Sequence, residues 1–175
     1  TGAVMPIARR QSLLRWAGEA PGRYLIEDDY DSEFRFTGRP IPTLRSIDQA
    51  DRVIYMNTFS RSLAPSLRIA YMVLPRPLLE AYQARLGFYS CTVPAMEQYT
   101  LARFLEDGHF DAHVNRMRVF YRARRDAVLQ AIEESPLAGR CRVMGENAGL
   151  HFLLELHADL EDRQLIEAAQ RRGVR

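Results

Sequence analysis

Short apolar runs, each stopping in polar or proline residues and alternating with long segments of helical periodicity, restrict this chain to a mixed α/β architecture. Tyr24-Leu25-Ile26 runs into Glu27-Asp28-Asp29, which predicts a short strand ending in carboxylates. Arg52 to Met56 is β-branched and aromatic enough for a buried strand, and the polar run Asn57-Thr58-Phe59-Ser60-Arg61-Ser62 follows it. Leu67 to Leu74 predicts another strand, closed by Pro75 and Pro77, while residues 35–50 are punctuated by proline and glycine and read as loop. Upstream, Met5, Ala8, Leu13, Trp16 and Ala17 fall near one face at helical spacing until Pro21-Gly22, which predicts a first helix over 5–19.

Helical spacing then covers 78–89, 94–106 and 110–134. In the last of these the apolar face is Phe110, Val114, Met117, Phe120, Tyr121, Val128 and Ile132, with Arg116, Arg118, Arg122 and Arg125 read as a solvated opposite face. Leu150 to Leu156 predicts a strand, and 160–172 a short helix with Gly173 at its C′ position. The change to a helix-strand-helix unit places a boundary inside the long helix, dividing the chain into residues 1–125 and 126–175. Both ends read as cut, so the expectation is a piece of a larger protein.

Composition narrows the function. No run approaches the roughly 18 apolar residues of a membrane span, and the opening TGAVMPIARR lacks the layout of a secretory signal. A soluble, cytoplasmic protein is expected. Cys91 and Cys141 are the only cysteines and sit in no metal-ligand spacing, which argues against a disulfide scaffold or a zinc site. Net charge is +2 from 24 basic and 22 acidic residues, well mixed, so this segment carries no broad footprint for nucleic acid. Every one of the 24 basic residues is arginine; the chain contains no lysine.

Two clusters carry chemistry. Asp28, Asp29, Tyr30, Asp31 and Glu33 crowd the end of the first strand, where open α/β sheets bind ligands. Thr58, Ser60 and Ser62 alternate with Phe59 and Arg61 after the second strand, and Arg68 follows. Hydroxyls and a guanidinium suit a phosphate, and a carboxylate opposite them suits a protonated ring nitrogen. That combination describes an anion-plus-heterocycle site without naming the heterocycle. The plainer readings are a turn made by the Ser/Thr run and a cap made by Asp28 and Asp29. Arg68 on an apolar strand is harder to explain as a surface residue. His109 and His113 stand at i, i+4 with no third metal ligand evident, and His151 reads as a packed or hydrogen-bonded strand histidine.

The blocks IEDDYDSEFRF and TFSRSLAPSLRIAY, spaced as they are here, resemble the two signature blocks of the aminotransferase-like domain of MocR/GntR-type transcription regulators. TGAVMP, GHFDAHVNRMRVFYRARRDAV and GLHFLLEL resemble further segments of that domain, so the resemblance extends over essentially the whole chain. It implies a pyridoxal-phosphate (PLP) transferase-like fold, with 1–125 part of the large domain's mostly parallel sheet and flanking helices, and 126–175 the start of the small α+β domain. It also implies a homodimer, a small amino-compound effector, and DNA contact only through a domain outside this chain.

Carried over by position, Asp28 is similar to the carboxylate that pairs with the PLP ring nitrogen and Tyr30 to the tyrosine near the ring's phenolic oxygen. Thr58, Ser60 and Arg68 match phosphate-binding positions, and Arg61 occupies the Schiff-base lysine position. A guanidinium stays protonated and cannot make that covalent link, so any PLP held here is held non-covalently and no catalytic residue is assigned. The resemblance leaves two other readings: a fragment of a class I/II PLP-dependent aminotransferase, and a degenerate dimerisation domain without cofactor.

Overall fold

The structure, a computed structural model, describes residues 5–36, 41–147, 149–158 and 160–174. The start of the TGAVMP block, part of the expected loop at 37–40 and the terminal Arg175 lie outside them. The elements run α1 (Ile7–Gly18), β1 (Leu25–Asp28), α2 (Leu44–Ile47), β2 (Val53–Thr58), α3 (Phe59–Ser62), β3 (Ala70–Val73), α4 (Arg76–Leu86), α5 (Ala95–Glu106), α6 (His109–Glu133), β4 (Cys141–Met144), β5 (Leu153–Leu156) and α7 (Asp162–Arg171). The first three strands form one sheet in the order β1-β2-β3, and β4 pairs with β5 in a second.

β1 and β2 are parallel, with Asp28 beside Met56, whereas β3 runs antiparallel to β2, from Thr58 beside Ala70 to Tyr55 beside Val73. Side chains alternate across a pleated sheet, so this register defines two faces. Leu25, Glu27, Val53, Tyr55, Asn57 and Tyr71 share one. Ile26, Asp28, Ile54, Met56, Thr58 and Met72 share the other.

The first face is the covered one. Val53 is fully buried, Arg10 of α1 approaches Glu27 at 3.6 Å, and Phe110 of α6 packs edge-on to Phe59 at 5.7 Å. The Glu27 carboxylate also accepts the amides of Leu44 and Arg45 at the start of α2, at 2.7 and 3.0 Å. On the second face Ile26 stays 68% exposed and Met56 and Met72 are also exposed.

Several sequence expectations change. Arg68 precedes β3 and is exposed: β2 bends into α3 at Phe59, whose amide donates to the Ile69 carbonyl at 3.0 Å, so the pairing stops short of Arg68. His151 lies ahead of β5, with Nδ1 3.8 Å from Asp31 Oδ2. Trp16 is exposed beneath the Arg23 guanidinium while Ala17 fills the core side of α1. The arginines of α6 are not merely solvated. Arg118 Nε donates to the Glu33 carbonyl and Arg122 to the Phe36 carbonyl at 3.0 Å, clasping the loop after β1, and Arg125 donates to the Glu146 carbonyl after β4 at 3.3 Å. Carbonyls turned toward a helix flank need donors, and a long arginine reaches them while its stem covers apolar surface.

Phe34, 1% exposed, anchors that loop against α6 by an edge-on contact with Tyr121 at 5.2 Å. Phe34→Ala should cost about 3–5 kcal/mol of unfolding free energy, measured by urea denaturation, because both the transfer term and the cavity term are lost. A loss below about 1 kcal/mol would mean that the loop is not anchored there.

Candidate functional site

The C-terminal ends of two adjacent parallel strands bring together residues thirty positions apart. Asp28 ends β1 and Thr58 ends β2 on the same face of the sheet, with Met56 between them. Asp28 is exposed and makes no hydrogen bond or ion pair among the described residues, so its carboxylate faces outward unpaired. The capping expectation divides between neighbours: Asp29, not Asp28, takes the local role, accepting from Ser32 Oγ at 2.9 Å and from the Tyr55 hydroxyl at 2.8 Å. Tyr30, at 36% exposure, is the next residue of the Asp28 segment.

The hydroxyl cluster is drawn together by a loop that doubles back. Thr58 Oγ1 caps α3 by accepting from the Ser60 amide at 3.2 Å and donates to the Ile69 carbonyl at 3.2 Å. Ser60 Oγ donates to the Leu67 carbonyl at 2.7 Å and accepts from Arg68 at 3.4 Å. Thr58, Ser60 and Arg68 are thus one cluster. Arg68 retains guanidinium donors beyond those turned to Ser60 and Pro65, so an anion can be held without dismantling it. Arg61 projects from the exposed side of α3, whereas Ser62 is buried and its hydroxyl has no partner. The arrangement can hold a cationic N–H at its carboxylate end and an anion at its guanidinium end.

Sequence reasoning missed what lies beneath. Asn57, 6% exposed on the covered face, accepts from the Thr58 amide through Oδ1. Its Nδ2 donates to the Tyr55 hydroxyl oxygen at 2.9 Å and to Glu33 Oε1 at 3.4 Å. The available signal was the pleat itself, which sets Tyr55 and Asn57 opposite to Met56 and Thr58. Burial raises the Tyr55 hydroxyl well above the usual tyrosine range, with the neighbouring Asp29 carboxylate adding to the shift. A groove of about 560 Å³ between Asn57, Tyr71, Leu101, Leu105 and Phe110 opens on this same covered face, away from Asp28.

His113 Nε2 sits 3.1 Å from the Ser62 carbonyl and His109 packs against Phe104, so the two histidines engage different neighbours. No cluster of potential metal ligands occurs among the described residues, and no described helix is long and apolar enough to cross a membrane.

This fold, with its candidate groups at the C-terminal edge of a parallel strand pair, is that of the PLP-dependent aminotransferases. The model of the family "aminotransferase class I and II" matches residues 1–174, and the chain belongs to that family. It is 48% identical over 174 residues to the uncharacterized HTH-type transcriptional regulator YdeL of Bacillus subtilis (strain 168), an alignment covering 99% of this chain and 37% of that protein. It is 38% identical over 173 residues to the probable rhizopine catabolism regulatory protein MocR of Rhizobium meliloti, covering 99% and 35%. Among solved structures, the Pyrococcus horikoshii kynurenine aminotransferase, determined with PMP and KYN as substrates and KYA as products, matches with a TM-score of 0.84 at 31% identity, over 99% of this chain and 43% of that one. The chain therefore spans well under half the length of the relatives it matches.

Glu33 offers a pH test of the buried network. Burial raises its carboxyl above the ordinary 4.5, outweighing its hydrogen bonds, and Oε2 has no partner. The folded protein then holds this proton more tightly than the unfolded chain. Glu33 opposes folding as pH rises through 4.5, and does so fully above its raised value. Glu33→Gln keeps an acceptor for Asn57 and removes the charge, so wild type should lose stability relative to the variant as the pH rises through and above 4.5. A stability difference that does not change with pH above 4.5 would contradict the burial of this carboxyl.

Proposed function

We propose that this chain is the aminotransferase-like sensing domain of a MocR/GntR-type transcription regulator and binds PLP, or an amino-compound effector with it, reversibly and non-covalently. The observation that carries the reading is the pairing, on one sheet face, of an unpartnered carboxylate at Asp28 with the Thr58, Ser60 and Arg68 cluster. The donor set fits the group: Asp28 would hold the protonated ring nitrogen, Tyr30 would lie by the phenolic oxygen, and Arg68 with the two hydroxyls would hold the phosphate. Bound PLP supplies an aldehyde that amino compounds attack and a ring that withdraws electrons.

Arg61 does not fit covalent attachment. Its fixed charge instead suits the phosphate or Asp28, and this favours a binding domain over an amino-transferring one. The HTH-type relatives support a regulator in which DNA is contacted by a domain outside this chain. A homodimer, cytoplasmic location and a division into a large-domain part (1–125) and the start of a small domain (126–175) complete the reading. The proposed division falls within the continuous helix α6.

The test is a PLP titration on a protein of the relatives' length. Wild type should bind PLP and release it on dialysis even after borohydride. Arg61→Lys should turn yellow with PLP, and borohydride should then fix the label to residue 61. Arg68→Ala should weaken binding by about 1.5–3 kcal/mol, the worth of a charge-assisted hydrogen bond. A colourless Arg61→Lys protein at saturating PLP, or an Arg68→Ala protein of unchanged affinity, would move the assignment toward a dimerisation domain without cofactor.

A further inference from the structure

The ends of β1 and β2 are tied together from the face opposite Asp28 by two side chains of β2, Asn57 to Glu33 and Tyr55 to Asp29. Asn57 reaches forward along its own strand to the Thr58 amide and sideways to the Tyr55 hydroxyl and to Glu33. Tyr55 carries the link to Asp29, and the Asp29 amide closes it by donating to the Met56 carbonyl at 2.9 Å. Asp29 and Asn57 are the immediate chain neighbours of Asp28 and Thr58. The network thus grips each strand end one residue from the group it presents on the other face.

A buried amide is costly unless its donors and acceptor are satisfied, and a leucine would fill the same space without that demand. Only a side chain with an acceptor at one corner and two donors at the other can bind Thr58, Tyr55 and Glu33 together. The apolar alternative would leave only the Tyr55–Asp29 bond beside the ladder, which stops here: β2 leaves the sheet at Phe59 and β1 at Asp28.

We propose that Asn57 is a positioning residue, which with Tyr55 sets the separation between Asp28 and Thr58 and so matches it to a rigid ligand carrying a ring nitrogen at one end and a phosphate at the other. This rests on the reading given under Proposed function. A ligand that spans both strand ends feels an error in their spacing, and a misplacement of about 1 Å is enough to matter greatly. A ligand that touches only the Thr58, Ser60 and Arg68 end does not.

That difference supplies the experiment, on a protein of the relatives' length. PLP affinity is measured by fluorescence titration, inorganic phosphate by 31P line broadening, and folding by thermal melting, for wild type, Asn57→Ala and Tyr55→Phe. Tyr55→Phe keeps the ring packed against Tyr71 and leaves the Thr58 cap untouched, so it tests the tie even where Asn57→Ala folds poorly. Val114→Ala, buried in α6, is the control for lowered stability.

The expected result is a loss of PLP affinity of roughly tenfold in Asn57→Ala and a smaller loss in Tyr55→Phe, with phosphate binding unchanged and Val114→Ala unaffected in both. PLP and phosphate falling together, or PLP affinity holding in both variants, overturns the positioning role while leaving the sensing-domain reading intact. Wild-type protein that binds no PLP overturns both.

Discussion

The parallel pairing of β1 with β2 at the register Asp28 beside Met56 is the constraint on which the rest of the site depends. With a side-chain period of two, a slip of one residue would carry Asp28 to the covered face and Glu27 to the open one. The present register is fixed by what each face demands. Glu27 finds the α2 amides and Arg10, and Tyr55, Asn57 and Asp29 satisfy one another. Asp28 is left on the open side with Thr58, free of partners, because the carboxylates that the fold itself uses are its neighbours.

The segment after Asp28 is bound closely to the C-terminal unit. The Gly149 amide donates to the Phe34 carbonyl at 2.8 Å, the Phe36 amide to the Asn147 carbonyl at 3.1 Å, and Asp31 Oδ2 accepts from the Leu150 amide at 3.3 Å. Gly149 is demanded at that turn: its φ is +80°, and a Cβ would stand 2.5 Å from Asp31 Oδ2. Arg118 and Arg122 brace the same loop from α6, and Arg125 stacks on Phe36 at 5.0 Å. The loop that follows Asp28 is therefore shared between β1, α6 and the β4–β5 turn.

Much of this was legible in the sequence. The helices at 5–19, 78–89, 94–106, 110–134 and 160–172 each correspond to an observed helix, because apolar spacing and proline or glycine stops are local signals. The first strand and its carboxylate end at Asp28 were legible for the same reason, whereas the second, read as ending at Met56, runs on to Thr58. What was hidden depends on pairing partners. β4 lacks a distinctive local pattern and exists by pairing Cys141 to Met144 with β5, and the last predicted strand shortens to Leu153–Leu156. Arg68 looked like a strand residue because its neighbours are apolar; only the bend of β2 at Phe59 removes its partner. The α6 arginines looked solvated because nothing in their helical spacing announces carbonyls arriving from residues 33–36 and 146. The Asn57 network escaped notice because polar residues at a strand end resemble the beginning of a loop.

The central claim is that Asp28 and the Thr58, Ser60 and Arg68 cluster form the two ends of one PLP site in which residue 61 makes no covalent bond. The most direct measurement is a crystal structure of a protein of the relatives' length grown with PLP. The account predicts the ring nitrogen within hydrogen-bonding distance of Asp28, the phosphate against Thr58, Ser60 and Arg68, and a clear gap between the ring and the Arg61 side chain. A ligand seated elsewhere, continuous density joining it to residue 61, or an Asp28 carboxylate turned away from a bound ring would contradict it.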